Sequence, residues 1–299
     1  MRYFYLIVLL LANLTAEQNI QDCDAITLKT QFNMQSKCHI NHFIIKDETF
    51  FLGVGDIFDD STLKNTACLI KYNIKTKEVI INKSFDTIDS FYKILLDDND
   101  YFILGAKALS EEYNKGRSYA DKGFIGILLK LDHNEKLEKY AEIPINGFGN
   151  VKDFLIKNNK IMVLTVIKNS TIYDDDLYAT LEIRYFDTNL LFLNTLHLQT
   201  NDYLADSIYA KNEAYILTDH YHKKICAFTQ RGLIEKCFDL NDTTNEIAKI
   251  EKLKKHYSKN FQISAYDSTF YYALKQEMIY EQTLDNYLNI QYLYKIEAN

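Results

Sequence analysis

Carboxylates are grouped in the segments that follow three of the apolar strands expected in this sequence. In chain order they are Asp56, Asp59, Asp60, Glu111, Glu112, Asp121, Asp174, Asp175 and Asp176. Carboxylates brought together from several loops could bind Ca²⁺, receive a cationic partner, or act as a paired acid and base on a sugar. The alternative is that they are solvated side chains on the exposed loops of an acidic protein. No stretch has the spacing of a calcium-binding loop, so no cofactor is predicted and Ca²⁺ remains the one candidate.

Two histidines form a second possible constellation. His220 and His222 are two residues apart at the end of an expected strand, where alternation would place both imidazoles on one face. Such a pair can chelate a transition metal, but a site needs a third ligand and the sequence shows none. We therefore expect a structural or solvated histidine pair and predict no metal site.

Five cysteines in a chain expected to be exported favour disulfide formation. A two-residue turn in the hairpin around residues 226–237 would place Cys226 directly opposite Cys237, within the Cα separation that a disulfide needs. Cys23 and Cys38 are the second predicted pair, which would hold the N-terminal segment against the first repeat. Cys68 is then left over and is expected to be a small buried hydrophobic residue.

A strand, a tight polar turn and a more apolar strand recur five times along the chain, about every 50 to 60 residues. The second strands open at Phe50, Tyr101, Ile161, Tyr215 and Phe270. A further hairpin follows each of the first four copies, which gives four antiparallel strands per repeat. A period of this length made only of strands is typical of the blades of a β-propeller.

The fifth copy lacks a fourth strand, and the N-terminal segment from Ile26 to Phe32 is alternating and has no other place. Pairing the two would remove an open sheet edge. We therefore predict an all-β fold, a propeller of five four-stranded blades closed by an N-terminal strand, as one domain over residues 17–299. Apolar residues at helical spacing predict one short inserted helix near 243–257.

Residues 1–16 resemble a secretory signal peptide in layout. Arg2 precedes an apolar run of about a dozen residues, which is shorter than the roughly 20 that span a bilayer as a helix. No later segment is apolar for long enough, so we expect a secreted protein, extracellular or periplasmic, with no membrane insertion after cleavage. The formal net charge of -7 argues against nucleic acid as a partner.

The second copy carries a resemblance to a known group. Its residues Ser90 to Gly105, followed by Gly123 to Asn134, are similar to the repeat of exported bacterial-type β-propeller proteins. In that repeat an aromatic-aliphatic-Gly strand precedes a Leu-Lys-Leu-Asp-x-Asn-Gly hairpin, and here Glu135 stands at the position of the last glycine. The group is mostly uncharacterised, so the resemblance implies a propeller and assigns no catalytic residues.

These patterns favour binding over catalysis. If the tight turns join the first and second strands of each blade, the longer acidic loops emerge together at the other end of the strands, a surface that we call the loop face. We expect an exported, non-enzymatic propeller that binds a protein or glycan there. The alternatives are a glycoside-active enzyme that uses paired loop carboxylates, and a structural module of an envelope or extracellular assembly with an exposed apolar patch.

Overall fold

The computed structural model describes most of the chain as β-strands and short connections. The described residues are 26–47, 49–59, 61–62, 64–109, 124–145, 148–168, 179–199, 205–211, 214–219, 222–240, 262–265, 270–281 and 286–298. Within these ranges the chain is all-β and contains no helix, and so none of bilayer-spanning length. The helix predicted near 243–257 and the signal peptide predicted over 1–16 lie outside the described residues.

Twenty strands cover the described ranges. They are β1 (Ile26–Ser36), β2 (His39–Lys46), β3 (Phe50–Asp59), β4 (Lys64–Asn73), β5 (Glu78–Phe85), β6 (Ser90–Asp97), β7 (Asp100–Ala108), β8 (Phe124–Leu131), β9 (Leu137–Pro144), β10 (Phe148–Lys157), β11 (Lys160–Lys168), β12 (Ala179–Asp187), β13 (Phe192–Leu198), β14 (Ser207–Lys211), β15 (Ala214–Asp219), β16 (Lys224–Phe228), β17 (Ile234–Asp239), β18 (Gln262–Ala265), β19 (Phe270–Glu281) and β20 (Asn286–Ala298).

The strands form four-stranded antiparallel sheets, which is consistent with a propeller-like fold. Four sheets each take consecutive strands, beginning at β2, β6, β10 and β14. The remaining sheet has the order β1-β20-β19-β18, in which β1 runs antiparallel to β20 from the pair Ile26 and Ala298 to the pair Ser36 and Asn289. The N-terminal segment therefore completes the sheet that the C-terminal strands begin, as its alternating pattern predicted.

Three clusters of the hydrophobic core each join two adjacent sheets. One cluster joins Phe102 and Leu104 on β7 to Phe154 on β10 and Val163 on β11, all at most 1% exposed. The second strands β7 and β11 read as continuous apolar runs because both of their faces are covered by neighbouring sheets. Each such side chain removed from water contributes roughly 1.5–3 kcal/mol, so the contacts between sheets supply much of the stability.

The two disulfides are those of the first and fourth sheets. Cys226 lies opposite Cys237 in the pairing of β16 with β17, and the two form the predicted bond. The predicted two-residue turn is wrong, since the register shifts between Ala227 and Phe228 and the turn closes with the Gly232 N–H on the Thr229 carbonyl oxygen. The predicted bond between Cys23 and Cys38 is wrong, since Cys38 is bonded to Cys68 with a Cα separation of 6.0 Å. Both bonds are compatible with folding in an oxidising compartment.

The glycine of the intervening strand explains the partner of Cys38. Cys68 on β4 lies opposite Gly55 on β3, and Gly55 in turn lies opposite Ile40, two residues beyond Cys38. A β-carbon on Gly55 would meet the carbonyl oxygen of His39 at 1.7 Å, so β2 packs closely over a residue that has no side chain. That close approach brings Cys38 across the middle strand within reach of Cys68. Hairpin spacing alone does not reveal a bond between strands that are not neighbours.

Glu135, in the turn between β8 and β9, has a backbone conformation that a glycine would take more easily. Its φ is 57°, in the left-handed region that costs roughly 1–3 kcal/mol for a residue with a side chain. The buried Glu135 carboxylate lies 2.5 Å from the Nζ atom of Lys71 on β4 of the preceding sheet. The turn between β8 and β9 thus combines a left-handed backbone position with an ion pair to the preceding sheet.

The first strands of three sheets share an irregularity that sets the contacts between them. The register shifts between Ile40 and His42 on β2, between Phe91 and Lys93 on β6, and between Val151 and Asp153 on β10. Each of these strands is at the edge of its sheet, and β2, β6, β10 and β14 contact one another in turn. A bulge re-aims the following side chain, which here turns it towards the next first strand.

Asp153 makes the most extensive of these contacts. Its Oδ1 atom lies 2.6 Å from the Nζ atom of Lys93 on β6 and accepts a hydrogen bond from its own neighbour, the Phe154 N–H. Its Oδ2 atom accepts the N–H of Ile208 on β14 at 2.9 Å. One carboxylate, with a side chain only 9% exposed, therefore connects the first strands of three sheets.

We expect Asp153→Ala to lower the free energy of unfolding by about 3 kcal/mol, because it leaves a largely buried ammonium and a buried backbone N–H without their acceptor. Asp86→Ala, which removes an exposed carboxylate in the connection after β5, should change it by no more than about 0.5 kcal/mol. Denaturant unfolding of both variants measures the difference. Equal losses in the two variants would show that Asp153 does not hold the first strands together.

Candidate functional site

Asp56 is the more buried of the two predicted loop-face carboxylates that the structure describes. It is half-buried near the end of β3, where its Oδ2 atom accepts hydrogen bonds from the Asn41 Nδ2 atom at 2.9 Å and the Ser90 Oγ atom at 2.7 Å. Asn41 also donates to the carbonyl oxygen of Phe91 at 2.9 Å. Asn41 and Asp56 belong to the first sheet and Ser90 and Phe91 to the second, so this carboxylate joins two sheets at the loop face.

Asp59 is the exposed carboxylate at the end of β3. Its Oδ1 atom accepts the N–H and the hydroxyl of Ser61, and its Oδ2 atom accepts the hydroxyl of Thr62. These hydrogen bonds favour the ionised form and hold the pKa of Asp59 at about 2, below the ordinary 3.8. Asp59 therefore presents a negative charge to solvent across the physiological pH range.

The other carboxylates proposed for the loop face lie outside the described residues. They are Asp60, Glu111, Glu112, Asp121, Asp174, Asp175 and Asp176. The structure therefore brings Asp56 and Asp59 to one end of β3, and convergence of acids from the three loops stays a prediction.

Asp89, immediately before β6, is a buried carboxylate that the sequence pattern did not indicate. Its Oδ2 atom accepts the Ala108 N–H at 2.5 Å, and burial raises the pKa of the carboxyl against the opposing effects of that bond, Lys107 and Lys64. Its sequence neighbour Ser90 donates to Asp56. The prediction from sequence considered only carboxylates in the loops after the second strands. Asp89 comes just before a first strand, and that position lies at the same end of the sheet as those loops.

The histidine pair falls partly outside the described residues, since His220 is not among them. The Nδ1 atom of His222 lies 2.7 Å from the Oδ2 atom of Asp219, which is fully buried. The Oδ1 atom of Asp219 accepts a hydrogen bond from the backbone N–H of His222. In the part of the chain that the structure describes, no three His, Cys, Asp or Glu side chains form a possible metal site. The geometry around His222 is that of a side chain fixed in a turn by its neighbour.

An open cavity of about 570 Å³ lies among the first strands of the second, third and fourth sheets. Its walls include Leu95, Ile156 and Ile208, and Lys93 and Asp97 add charge. Burial, and then the neighbouring charges of Asp98 and Asp100, raise the pKa of Asp97. These residues are close to the tight turns, at the opposite end of the strands from the loop face. We call that end the turn face, defined by residues 46–50, 97–100 and 157–160.

The cavity has the size of a small-molecule site. The sequence predicted a site at the loop face and gave no indication of a cavity near the turn face. These residues lie on the first strands of three different repeats, and nothing in their order along the chain shows that those strands leave a space between them. A signal was nevertheless present, because Lys93 interrupts the apolar β6 strand on the side that faces the next repeat.

We expect the Asp59 carboxyl to titrate near pH 2, and the double variant Ser61→Ala with Thr62→Ala to raise its pKa towards 3.8. Because the pKa in the folded protein is below the ordinary value, the stabilisation from these bonds is present above about pH 3.8 and is lost as the pH falls towards 2. Carbon-detected NMR of the side-chain carboxyl measures both values. Ser84→Ala, an exposed serine on β5, is the control and should leave the titration unchanged. A wild-type pKa near 3.8 would contradict the proposed hydrogen bonds.

No protein-family model matches the chain, and no curated protein matches it. Among solved structures, a Synechocystis apocarotenoid oxygenase variant is similar at 9% identity and a TM-score of 0.39, covering 77% of this chain and 49% of that one. An acylaminoacyl peptidase from Pyrococcus horikoshii is similar at 13% identity and a TM-score of 0.39, covering 81% of this chain and 35% of that one. The chain spans half or less of the length of each, and likeness this slight supports no inference about function.

Proposed function

We propose that this protein is an exported, non-enzymatic β-propeller that binds a protein or glycan partner through its loop face. The observation that supports the proposal is the state of Asp59, an exposed carboxylate held ionised by three donors from Ser61 and Thr62. A general acid or base is most effective when its pKa is near the working pH, and a carboxyl with a pKa of about 2 is poorly suited to that role. A permanent charge in a fixed position is suited to recognition.

The arrangement around Asp56 supports the same proposal. Asn41 and Ser90 come from different sheets, and both donate to one Asp56 oxygen, so the base of this surface is rigid before a partner arrives. A surface that is already ordered loses less conformational entropy on binding. The exposed charge of Asp59 beyond it would attract a cationic protein surface or accept hydrogen bonds from sugar hydroxyls, and the former contribution weakens as salt is added.

We also propose that the sheets are the five blades of one closed ring, with the N-terminal strand completing the last blade. The pairing of β1 with β20 supports this, as does the contact of β18 with β2 of the first sheet. In such a ring the loops after the second strands share one face. The acids at 60, 111, 112, 121 and 174–176 would then surround the surface that begins at Asp56 and Asp59.

The test is a pull-down of the mature protein from its native compartment, with a glycan array in parallel. We expect Asp59→Asn to weaken capture of the recovered partner by about twofold to fivefold at low salt, because it removes one exposed charge and little else. Asp98→Asn makes the same change at the turn face and should have no effect. Equal effects of the two variants would contradict binding through the loop face, and recovery of no partner in either format would favour the structural module.

A second candidate, a glycoside-active enzyme, is favoured by one observation. Asp89 is buried with a raised pKa, and the adjacent Ser90 donates to Asp56, so two carboxyls in different environments lie at the same end of the sheets. Environments of that kind can separate an acid from a base. This function predicts turnover of aryl glycosides by the wild-type protein and its loss in Asp89→Asn. No turnover by the wild-type protein would rule this candidate out for those substrates.

A third candidate, the structural module, is favoured by apolar side chains at the rim of the molecule. Leu191, Phe192 and Leu193 are 63%, 58% and 47% exposed at the start of β13, and Leu233 and Ile234 occupy the corresponding place beside β17. These residues lie at the start of the fourth strands or just before them, away from the first-strand cavity. They would suit lateral packing in an assembly.

A further inference from the structure

The first-strand cavity, which lies among β6, β10 and β14, has mostly aliphatic walls. Six apolar residues of these strands line it, namely Leu95, Leu96, Leu155, Ile156, Ile208 and Ala210. Its volume of about 570 Å³ is in the range of roughly 300–1,000 Å³ that is usual for small-molecule sites. Since the three strands belong to different sheets, no hydrogen-bonded ladder fills the space between them, and one ligand could contact all three.

Part of this apolar lining is left in contact with water. Leu95 and Ile156 are half-buried and pack against the core between the second and third sheets, and Leu155 is half-buried against the core between the third and fourth. Leu96 is 37% exposed at the turn-face end of β6. A single exposed leucine on a convex surface would need no explanation, but here it extends the apolar wall of a concave site. The cavity therefore offers a hydrophobic ligand apolar surface that the protein itself does not cover.

The charged side chains of the cavity favour neither sign of charge in a ligand. The Nζ atom of Lys93 lies 2.6 Å from the Oδ1 atom of Asp153, so this ammonium already has its counter-charge. Lys157 also has an interaction of its own. The carboxylates of Asp97 and Asp98 would repel an anion at the turn-face end, and the two ammonium groups would repel a cation. A charged ligand would therefore lose its hydration without a net attraction to replace it.

The lining is also better suited to a hydrocarbon chain than to a ring. Tyr209 is the one aromatic side chain among the described lining residues, and it too has an interaction of its own. Aromatic ligands gain from stacked or edge-to-face contacts with other rings, which a single tyrosine supplies only in part. Leucine and isoleucine side chains from three strands instead give continuous aliphatic contact.

We propose that the first-strand cavity binds a neutral hydrophobic molecule through its aliphatic chain, which packs against Leu95, Leu96 and Ile156. The favourable free energy comes from apolar surface of the chain and of the lining that leaves water together. The hydroxyl or ester group of such a molecule stays at the open side of the cavity, where water can hydrogen-bond with it. The cavity is near the turn face, so this binding is separate from the loop-face function proposed above.

The test compares three ligands of one chain length, 1-octanol, octanoate and octylammonium, by calorimetry with the mature protein. We expect saturable binding of one 1-octanol molecule per chain, and an affinity about fivefold lower for each charged analogue, because a charged group loses hydration in the cavity. Leu96→Ser should weaken binding of 1-octanol by about fivefold to tenfold, because it removes part of the apolar wall.

Leu109→Ser is the matched control. Leu109 is a leucine of similar exposure, 43%, that follows β7 at the loop-face end of the strand, so its replacement should leave binding of 1-octanol unchanged. Both leucines are exposed, so both variants should fold as the wild type does.

Each outcome bears on the proposal. Absence of saturable 1-octanol binding, equal or tighter binding of either charged analogue, or equal losses in the two variants would overturn it. Phosphatidylcholine vesicles then distinguish the sources of the chain. Binding of 1-octanol without sedimentation on the vesicles supports a soluble metabolite, and sedimentation that Leu96→Ser reduces supports a membrane lipid.

Discussion

The first strand of each sheet has a neighbour on one side only, and its other edge carries backbone N–H groups that no strand of its own sheet can satisfy. A buried N–H without an acceptor costs about 1–3 kcal/mol, so the edge must find partners where several sheets meet. Asp153 supplies one, since it accepts the Ile208 N–H of the next sheet and holds Lys93 of the preceding one. The remaining packing of the sheets depends on this polar contact, because it fixes how closely the first strands approach.

The bulges make that contact possible. In a regular ladder the side chain at the position of Asp153 would point to a face of its own sheet, and one extra residue redirects it. His42, at the equivalent place in the first sheet, lies with its Nδ1 atom 3.5 Å from the N–H of Ile94, a longer contact of the same kind. Once these few polar groups are placed, the faces between sheets can be almost entirely apolar. The cavity beside the first strands lies where this packing is incomplete.

The repeat pattern was sufficient to predict strands, their pairing within hairpins and the place of the N-terminal strand, because those depend on neighbours in sequence or on a period. The partner of Cys38 could not be predicted in the same way. It depends on Gly55, whose missing side chain lets two non-adjacent strands come close, and that effect appears only when three strands are placed together.

The same distinction, between features that are local in the sequence and contacts between distant segments, applies to the candidate sites. Asp59 could be selected from the sequence because it is an acid that follows an apolar strand. Its hydrogen bonds to Ser61 and Thr62 could not be predicted, because serine and threonine are ordinary residues in any loop. Asp89 required the structure, since its burial and its bond to the Ala108 N–H depend on segments that are not neighbours in the sequence. Contacts between side chains of different sheets produce no recognisable pattern of spacing in the sequence.

The pairing of β1 with β20 also has a consequence for how the molecule reaches this structure. The four internal sheets join residues that are close in sequence and can form as soon as their own strands are available, whereas the remaining sheet joins residues 26–36 to residues 286–298. Contacts of such long sequence separation form late, because the chain between them must already be compact. The last sheet can therefore form only after the chain between its strands has become compact. Until it forms, β1 and the β18–β20 hairpins are exposed strands that a second molecule could pair with instead.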